Sequence, residues 1–290
     1  MSKNMKKRRF KNGCLWLAIT LLAILFLLPT ILTVVNSFLS AAEIERSYGA
    51  VLGGDTYMKE QVILRLVPDI ATGEQYHTFL LQSPEYLQKF WNSVLYTVPI
   101  TILQVAVSAL AAYGFCRRPS RLRRLIFFGY LVLTLMPYQV TLVPNYLVSK
   151  QLGTYDTIWA ILLPGIFSPF AVFLLTKYMQ RIPREYIEAA QLDGANEWQI
   201  FRRIFLPQCK SALFAVGMLV FFDYWNMVEQ PMVLLEQEEL QPLSIYLSRI
   251  NEGELGLAFA AAVIYMIPCL LLFLGGEKHL EEGIVTGGIK

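Results

Sequence analysis

Residues 183–207 read PREYIEAAQLDGANEWQIFRRIFLP, a polar passage between two long apolar runs. Pro183 suits a first helical position, where its missing N–H is no loss. Glu185 and Glu188 favour the positive end of the helix that follows. Tyr186, Ala189, Ala190 and Leu192 form an apolar side, and Asp193-Gly194 closes the helix, with Gly194 suited to the left-handed C′ position. The helix is about ten residues, roughly 15 Å long. A second helix starts at once. Asn196 is its N-cap and Gln199, three residues on, completes a capping-box pattern. Trp198, Phe201 and Phe205 recur at helical spacing, and Pro207 marks the exit into the next apolar run. Two readings stay open on these residues alone: a helix pair lying on lipid, or a docking element for a soluble partner.

The runs around this passage decide the class. Stretches free of Asp, Glu, Lys and Arg cover Asn12 to Ala42, Phe90 to Cys116, Leu125 to Ser149, Thr157 to Thr176 and Leu255 to Gly276. A sixth, Ser211 to Leu235, is broken only by Asp223 and Glu229. A helix needs about 20 mostly apolar residues to cross a bilayer core. Buried helices of a soluble protein are the alternative, but the other residues are too few and too apolar to wrap them. The 290-residue chain is 55 % hydrophobic and 16 % charged; a soluble domain is about 25 % charged. The mean hydropathy is +0.46. The first run has a basic start and a small-residue end at Ser40-Ala41-Ala42, like a signal peptide. It is longer than a signal core and more spans follow, so an uncleaved anchor is expected.

Loop charges give the orientation, because Lys and Arg collect on the cytoplasmic side. The N-terminal segment carries six, from Lys3 to Lys11. Arg117, Arg118, Arg121, Arg123 and Arg124 follow span two with no acid among them. Lys177, Arg181, Arg184, Arg202, Arg203 and Lys210 lie between spans four and five. On the other side, residues 43–89 hold four basic and seven acidic residues, and residues 236–254 hold five glutamates and one arginine. The alternation predicts an all-α, multi-pass membrane protein with six spans and both termini cytoplasmic. Its expected parts are a basic N-terminus over 1–12, a six-span domain over 13–282 and a glycine-rich cytoplasmic tail over 283–290. Residues 42–89 form an external lobe, partly helical, carrying Gly53-Gly54 and Tyr48, Tyr57, Tyr76 and Tyr86; residues 181–207 form the ordered cytoplasmic loop. Pro137, Pro144, Pro164 and Pro169 are expected to kink spans three and four.

Other chemistries find no residues to carry them. Cys14, Cys116, Cys209 and Cys269 share no short spacing, and His77 and His279 stand far apart, so no disulfide framework, zinc site or metal site is expected. No catalytic constellation is visible. The chain has no Gly-x₄-Gly-Lys-Ser/Thr loop and cannot hydrolyse ATP itself. Composition and charge give no sign of nucleic-acid binding. An ion-driven transporter would usually show internal repeats and several membrane acids; there is no clear repeat and one deep acid.

Glu188-Ala189-Ala190, then Gly194, then Ile204-x-Leu206-Pro207 resembles the EAA loop of ABC import permeases, matching at all seven positions with the expected spacing. Asp193 and Ala195 around the glycine resemble the carbohydrate branch. Asp223-Tyr224-Trp225-Asn226 followed by Pro231 is similar to the Trp-Asn-x₄-Pro pattern of sugar permeases, and Gly283, Gly287, Gly288 and Lys290 resemble their glycine-rich end. Asn92-Ser93 opening span two is also similar. Glu229 and Gln230 depart from the bulky apolar residues usual before that proline.

The resemblance is nearest to the second permease of maltose-type importers, and implies a type I ABC importer fold. In that family an ATPase receives the EAA helix in a cleft, and its ATP-driven closure switches the spans between inward- and outward-facing states. It implies a complex with a second permease, two ATPases and an external binding protein that delivers a sugar. The chain itself binds no cofactor, ATP being held by the partner. Asp223 lies roughly 19 Å into span five; a deep acid faces the bundle interior or a cavity by default. It and its neighbours Tyr224, Trp225 and Asn226 are candidates for the substrate pathway. Interhelical bonding is the competing role for them, and a non-sugar solute such as a polyamine or glycerol phosphate is the competing substrate.

Overall fold

The computed structural model describes residues 2–52, 65, 67–117, 120–249 and 254–288. Every regular element among them is helical. The chain divides into two compact units.

The first unit comprises Met1–Leu87 and Arg249–Met266. Helix α1 (Ser2–Asn36) carries the first span, Asn12–Asn36, and none of its most apolar window is buried within the protein. Such a helix needs lipid or another protein to cover it. Helix α2 (Ala41–Leu52) follows. Its Glu43 caps the turn: one carboxylate oxygen accepts from Ser40 N–H (3.0 Å) and Ser40 Oγ (2.8 Å), the other from Asp69 N–H (2.8 Å). These bonds, led by those from Ser40, hold its carboxyl below the usual carboxylate range. Tyr76 and Ser37 hydroxyls meet at 2.6 Å. Among the described residues of 42–89, Ala41–Leu52 and Glu74–His77 are α-helical; Gly53, Gly54 and Tyr57 lie outside the described residues.

The second unit comprises Gln88–Ser248 and Ile267–Lys290. Its long α3 (Pro84–Arg117) begins in the first unit, and is followed by α4 (Arg121–Thr134), α5 (Tyr138–Leu152), α6 (Trp159–Gly165) and α7 (Pro169–Met179). The loop contributes α8 (Arg184–Leu192) and α9 (Glu197–Ile200). Beyond it lie α10 (Lys210–Trp225), α11 (Glu229–Leu234), α12 (Leu243–Ser248) and α13 (Leu255–Gly288). Spans one, two, four and six are long and apolar enough to cross alone. Six crossings result if each of two bent helix pairs counts as one.

Span three is one of these pairs, bent at Pro137, one of the prolines expected to kink it. α4 and α5 meet at 102°. Pro137 explains the break: at ψ 142° it is extended, and a proline excludes helical geometry from the residue before it. Pro144 lies inside α5 without ending it. In span four Pro164 lies in the last turn of α6, and Pro169 opens α7 behind the Ser168 cap. The core joins Tyr96 and Ile100 of α3, Ile161 of α6 and Leu175 and Met179 of α7. A Cβ on Gly165 would lie 2.8–3.2 Å from the Ile100 side chain, so a larger residue here would force Ile100 to shift where spans four and two approach. The glycine-rich tail does not start a new segment at 283: Gly283, Gly287 and Gly288 continue α13. Glycine weakens a helix by about 1 kcal/mol without stopping it. Lys290 lies outside the described residues.

Candidate functional site

Helix α8 begins just after Pro183, whose φ −59° and ψ 141° make it the capping residue, one place earlier than the sequence pattern suggests. The inward face is Ile187, buried, with Ala190 partly buried against the core. Tyr186 and Ala189 point outward with Leu192, which is 90 % exposed. The expected apolar side is therefore mostly an outer one, with the acid of Glu188 beside it. Glu188 also borders a cavity of about 280 Å3 shared with Arg117, Arg184 and Gln191.

The turn after α8 is fully bonded. Gly194 has φ +78°, and its N–H reaches the Gln191 carbonyl at 3.0 Å. Ala195 N–H reaches the Ala190 carbonyl at 2.9 Å. Together these two bonds are a Schellman motif, which needs a left-handed residue at the position Gly194 holds. Nothing lies within 4 Å of a Cβ built on Gly194, so the demand is on backbone angle and not on space. Asn196 Oδ1 then accepts from Gln199 N–H, and Gln199 Oε1 accepts from Asn196 N–H, both at 2.9 Å. The capping box is complete on both sides.

The helix pair is tied to the end of α3. Tyr113 O–H donates to Glu197 Oε2 at 2.5 Å and Arg117 Nε donates to the same oxygen at 2.9 Å. The Tyr113 ring packs on Phe205 (4.9 Å, edge-on) and Phe201 (5.1 Å). No local sequence signal joins Tyr113 and Arg117 to residue 197. Phe201–Phe205 form one π-helical turn. Pro207 two residues on has no N–H to continue regular pairing, which favours such a turn. Ile204 and Leu206 pack partly buried on the core, and Pro207 is exposed.

The second candidate region lies where α10 ends. Asn226 terminates the helix, its N–H (3.2 Å) and Nδ2 (2.8 Å) both donating to the Phe222 carbonyl. Asp223, Tyr224 and Asn226 line a cavity of about 480 Å3 with Tyr138, Glu229 and Gln230. Trp225 does not line it. It is 1 % exposed, stacked on Phe221 at 5.4 Å and edge-on to Phe90 at 5.8 Å. Gln139 Nε2 donates to both Glu229 oxygens, at 2.9 and 3.1 Å. Asn92 Nδ2 donates to the carbonyls of Glu239 (2.6 Å) and Gln241 (3.1 Å), and Ser93 Oγ accepts from Leu243 N–H (3.0 Å). These two residues clamp the 238–243 turn to the start of α3. Asp156, at φ +57°, accepts from Glu236 N–H (2.7 Å) and Gln237 N–H (3.0 Å). Those bonds, chiefly from Gln237, hold its carboxyl below the usual range. Tyr155 donates to Glu236 (2.8 Å), and this bond pushes its phenol up to about 12. Among the described residues no group of His, Cys, Asp and Glu could hold a metal ion.

The family of binding-protein-dependent transport system inner membrane components matches residues 104–285. The chain belongs to it. Its members are transport subunits and not ATPases, so this is a membrane permease component of a binding-protein-dependent importer. A lactose transport system permease protein of Rhizobium radiobacter is 30 % identical over 204 residues, covering 69 % of this chain and 74 % of that one. An arabinooligosaccharides transport system permease protein of Bacillus subtilis is 29 % identical over 231 residues, covering 78 % and 82 %. The fold is that of a chain in the crystal structure of a bacterial ABC transporter for the acidic polysaccharide alginate: TM-score 0.79 at 23 % identity, over 94 % of this chain and 97 % of that one.

Proposed function

We propose that this permease imports a sugar or oligosaccharide, and that α8 is where an ATPase drives it. The outward face of α8 carries the reading: Tyr186, Ala189 and Leu192 are exposed together beside Glu188 on a short helix closed by a bonded turn, a surface suited to a partner. The family match and relatives named for lactose and arabinooligosaccharides support the sugar reading.

In this account Glu188, Ala189 and Ala190 enter a cleft on the ATPase. Glu188 offers a charge to a basic partner group, and the alanines let the helix seat closely. Asp193, Gly194 and Ala195 set the turn. Ile204, Leu206 and Pro207 carry displacement into α10. The remaining partners are a second permease, a second ATPase and an external solute-binding protein, with both termini cytoplasmic by the basic-loop rule. Residues 1–12 and 283–290 are the cytoplasmic ends of the six-span domain. Asp223, Tyr224 and Asn226 face the substrate path, while buried Trp225 braces it.

A mild-detergent pull-down of the tagged protein from its native membrane tests this. Recovery of an ATPase and a second six-span permease is expected. Recovery of this chain alone under crosslinking would contradict it.

A further inference from the structure

A groove of about 570 Å3 runs between spans two, five and six. Ile102, Ala106 and Leu110 of α3 form one wall and are exposed; Leu213 and Phe214 of α10 and Leu272 of α13 face them. A Cβ on Gly276 would press on Phe214 and Met218, so α13 lies close along α10. Trp198 and Phe201 line the end beside the cytoplasmic-type loop. Apart from the Thr101 hydroxyl and the Trp198 indole N–H, the lining side chains are apolar.

The dimensions select an occupant. Thr101 and Leu110 mark the length along α3, about 14 Å at the rise of a helix. That is nearly half of a bilayer core of about 30 Å, the depth of one leaflet. Spread over that length, the volume leaves roughly 40 Å2 of cross-section, against roughly 80 Å2 for a helix with its side chains. The shape fits a hydrocarbon chain better than another helix.

The loop end of the groove is basic. Lys210 opens α10 on the face that carries Leu213, Phe214 and Gly217, three, four and seven residues on. Arg202 follows Trp198 by one helical turn. Arg202, Arg203 and Lys210 are exposed, and none of them is in an ion pair among the described residues. No Asp or Glu occurs over residues 198–222 to offset them. Cations beside an interhelical slot at the membrane surface suit an anionic headgroup.

We infer that an anionic phospholipid occupies this groove, one acyl chain against Ile102, Ala106 and Phe214 and its phosphate at Arg202 and Lys210. Trp198, Phe201 and Leu206 line the same groove, so the lipid braces the second helix of the loop. The inference needs the membrane setting and neither the sugar nor the ATPase.

The test uses the full chain, with the partners that co-purify in mild detergent, reconstituted in phosphatidylcholine vesicles. The vesicles carry a trace of phosphatidylglycerol or of phosphatidylcholine with a diazirine in one acyl chain, and adducts are mapped by peptide mass spectrometry. Phe26 of α1, 73 % exposed, gives the reference for unselective lipid contact. Relative to α1, phosphatidylglycerol should label the groove at least about fivefold more than phosphatidylcholine, the preference that one cation near an anionic headgroup supplies. Arg202→Gln with Lys210→Gln should bring the two lipids level. Ala106→Trp, which fills the groove from an exposed position, should remove labelling by both. The double variant alters exposed side chains alone and keeps the test decisive if Ala106→Trp fails to insert. Equal labelling in the parent chain, a preference that survives the double variant, or groove labelling that survives Ala106→Trp would overturn the lipid site. So would adducts on α1 with none in the groove, which would mean that a protein covers this face.

Discussion

The helix pair at 184–208 and the cavity around 223–230 are built in opposite ways. The first is closed by neighbours in sequence: the Schellman bonds across Gly194 and the reciprocal bonds of Asn196 and Gln199 span five residues or fewer. Tyr186, Ala189 and Leu192 then face outward. The second exists because α10 stops at Trp225, and its walls come from residues as far apart as Tyr138 and Gln230. Its polar residues face inward. A rigid, locally bonded element suits the transmission of force from a partner. A space left by a helix end suits a solute that must come and go.

The contrast can be broken most severely at Gly194. Gly194→Pro is incompatible with φ +78° and deletes the bond to Gln191, at a local cost of about 3 kcal/mol or more. The protein should insert, ATP hydrolysis should persist, and uptake should be lost. Glu188→Lys should uncouple in the same way with α8 intact. Unchanged uptake per ATP in both would sink the docking role. Gly194→Ala sharpens the point. A left-handed alanine costs about 1–2 kcal/mol, with no clash to add, so thermal stability in detergent should fall modestly and uptake partly.

Glu197→Ala comes next. It removes the acceptor shared by Tyr113 and Arg117, but the Glu197 side chain is 44 % exposed, so the loss should be about 1 kcal/mol. Arg117→Ala and the double variant complete a cycle. Additive effects would show that no shared latch exists.

The smallest effect is at Asp156, on the other side of the contrast. Its lowered folded-state pKa means that its stabilising bonds are present above the unfolded value, about 3.9, and disappear as pH falls through the folded value. Asp156→Asn should therefore be less stable at neutral pH, with the difference closing below about pH 4. A difference independent of pH would mean that the carboxylate charge is not what holds Glu236 and Gln237.

These two regions also divide what could be read in advance. Runs without charge, basic loops and the passage around Gly194 are local patterns, and the helices, caps and turn follow from them. Pro183 is displaced by one residue because proline's φ serves a capping residue as well as a first helical one. The break of span three at Pro137 is local too, but its 102° bend depends on what α4 and α5 pack against. The Glu197 latch and the Gln139–Glu229 contact join residues about 80 to 90 apart, and no spacing announces them. Trp225 illustrates the limit: its neighbours Tyr224 and Asn226 line the cavity, while one helical step turns it into the core.

The central claim is that the outer face of α8 is a partner surface. A photo-crosslinking residue at position 192, the most exposed point on that face, tests it directly in native membranes. The account predicts one dominant protein adduct carrying a nucleotide-binding P-loop, lost when Gly194→Pro is added. Adducts to lipid alone, in a complex that still transports, would contradict it.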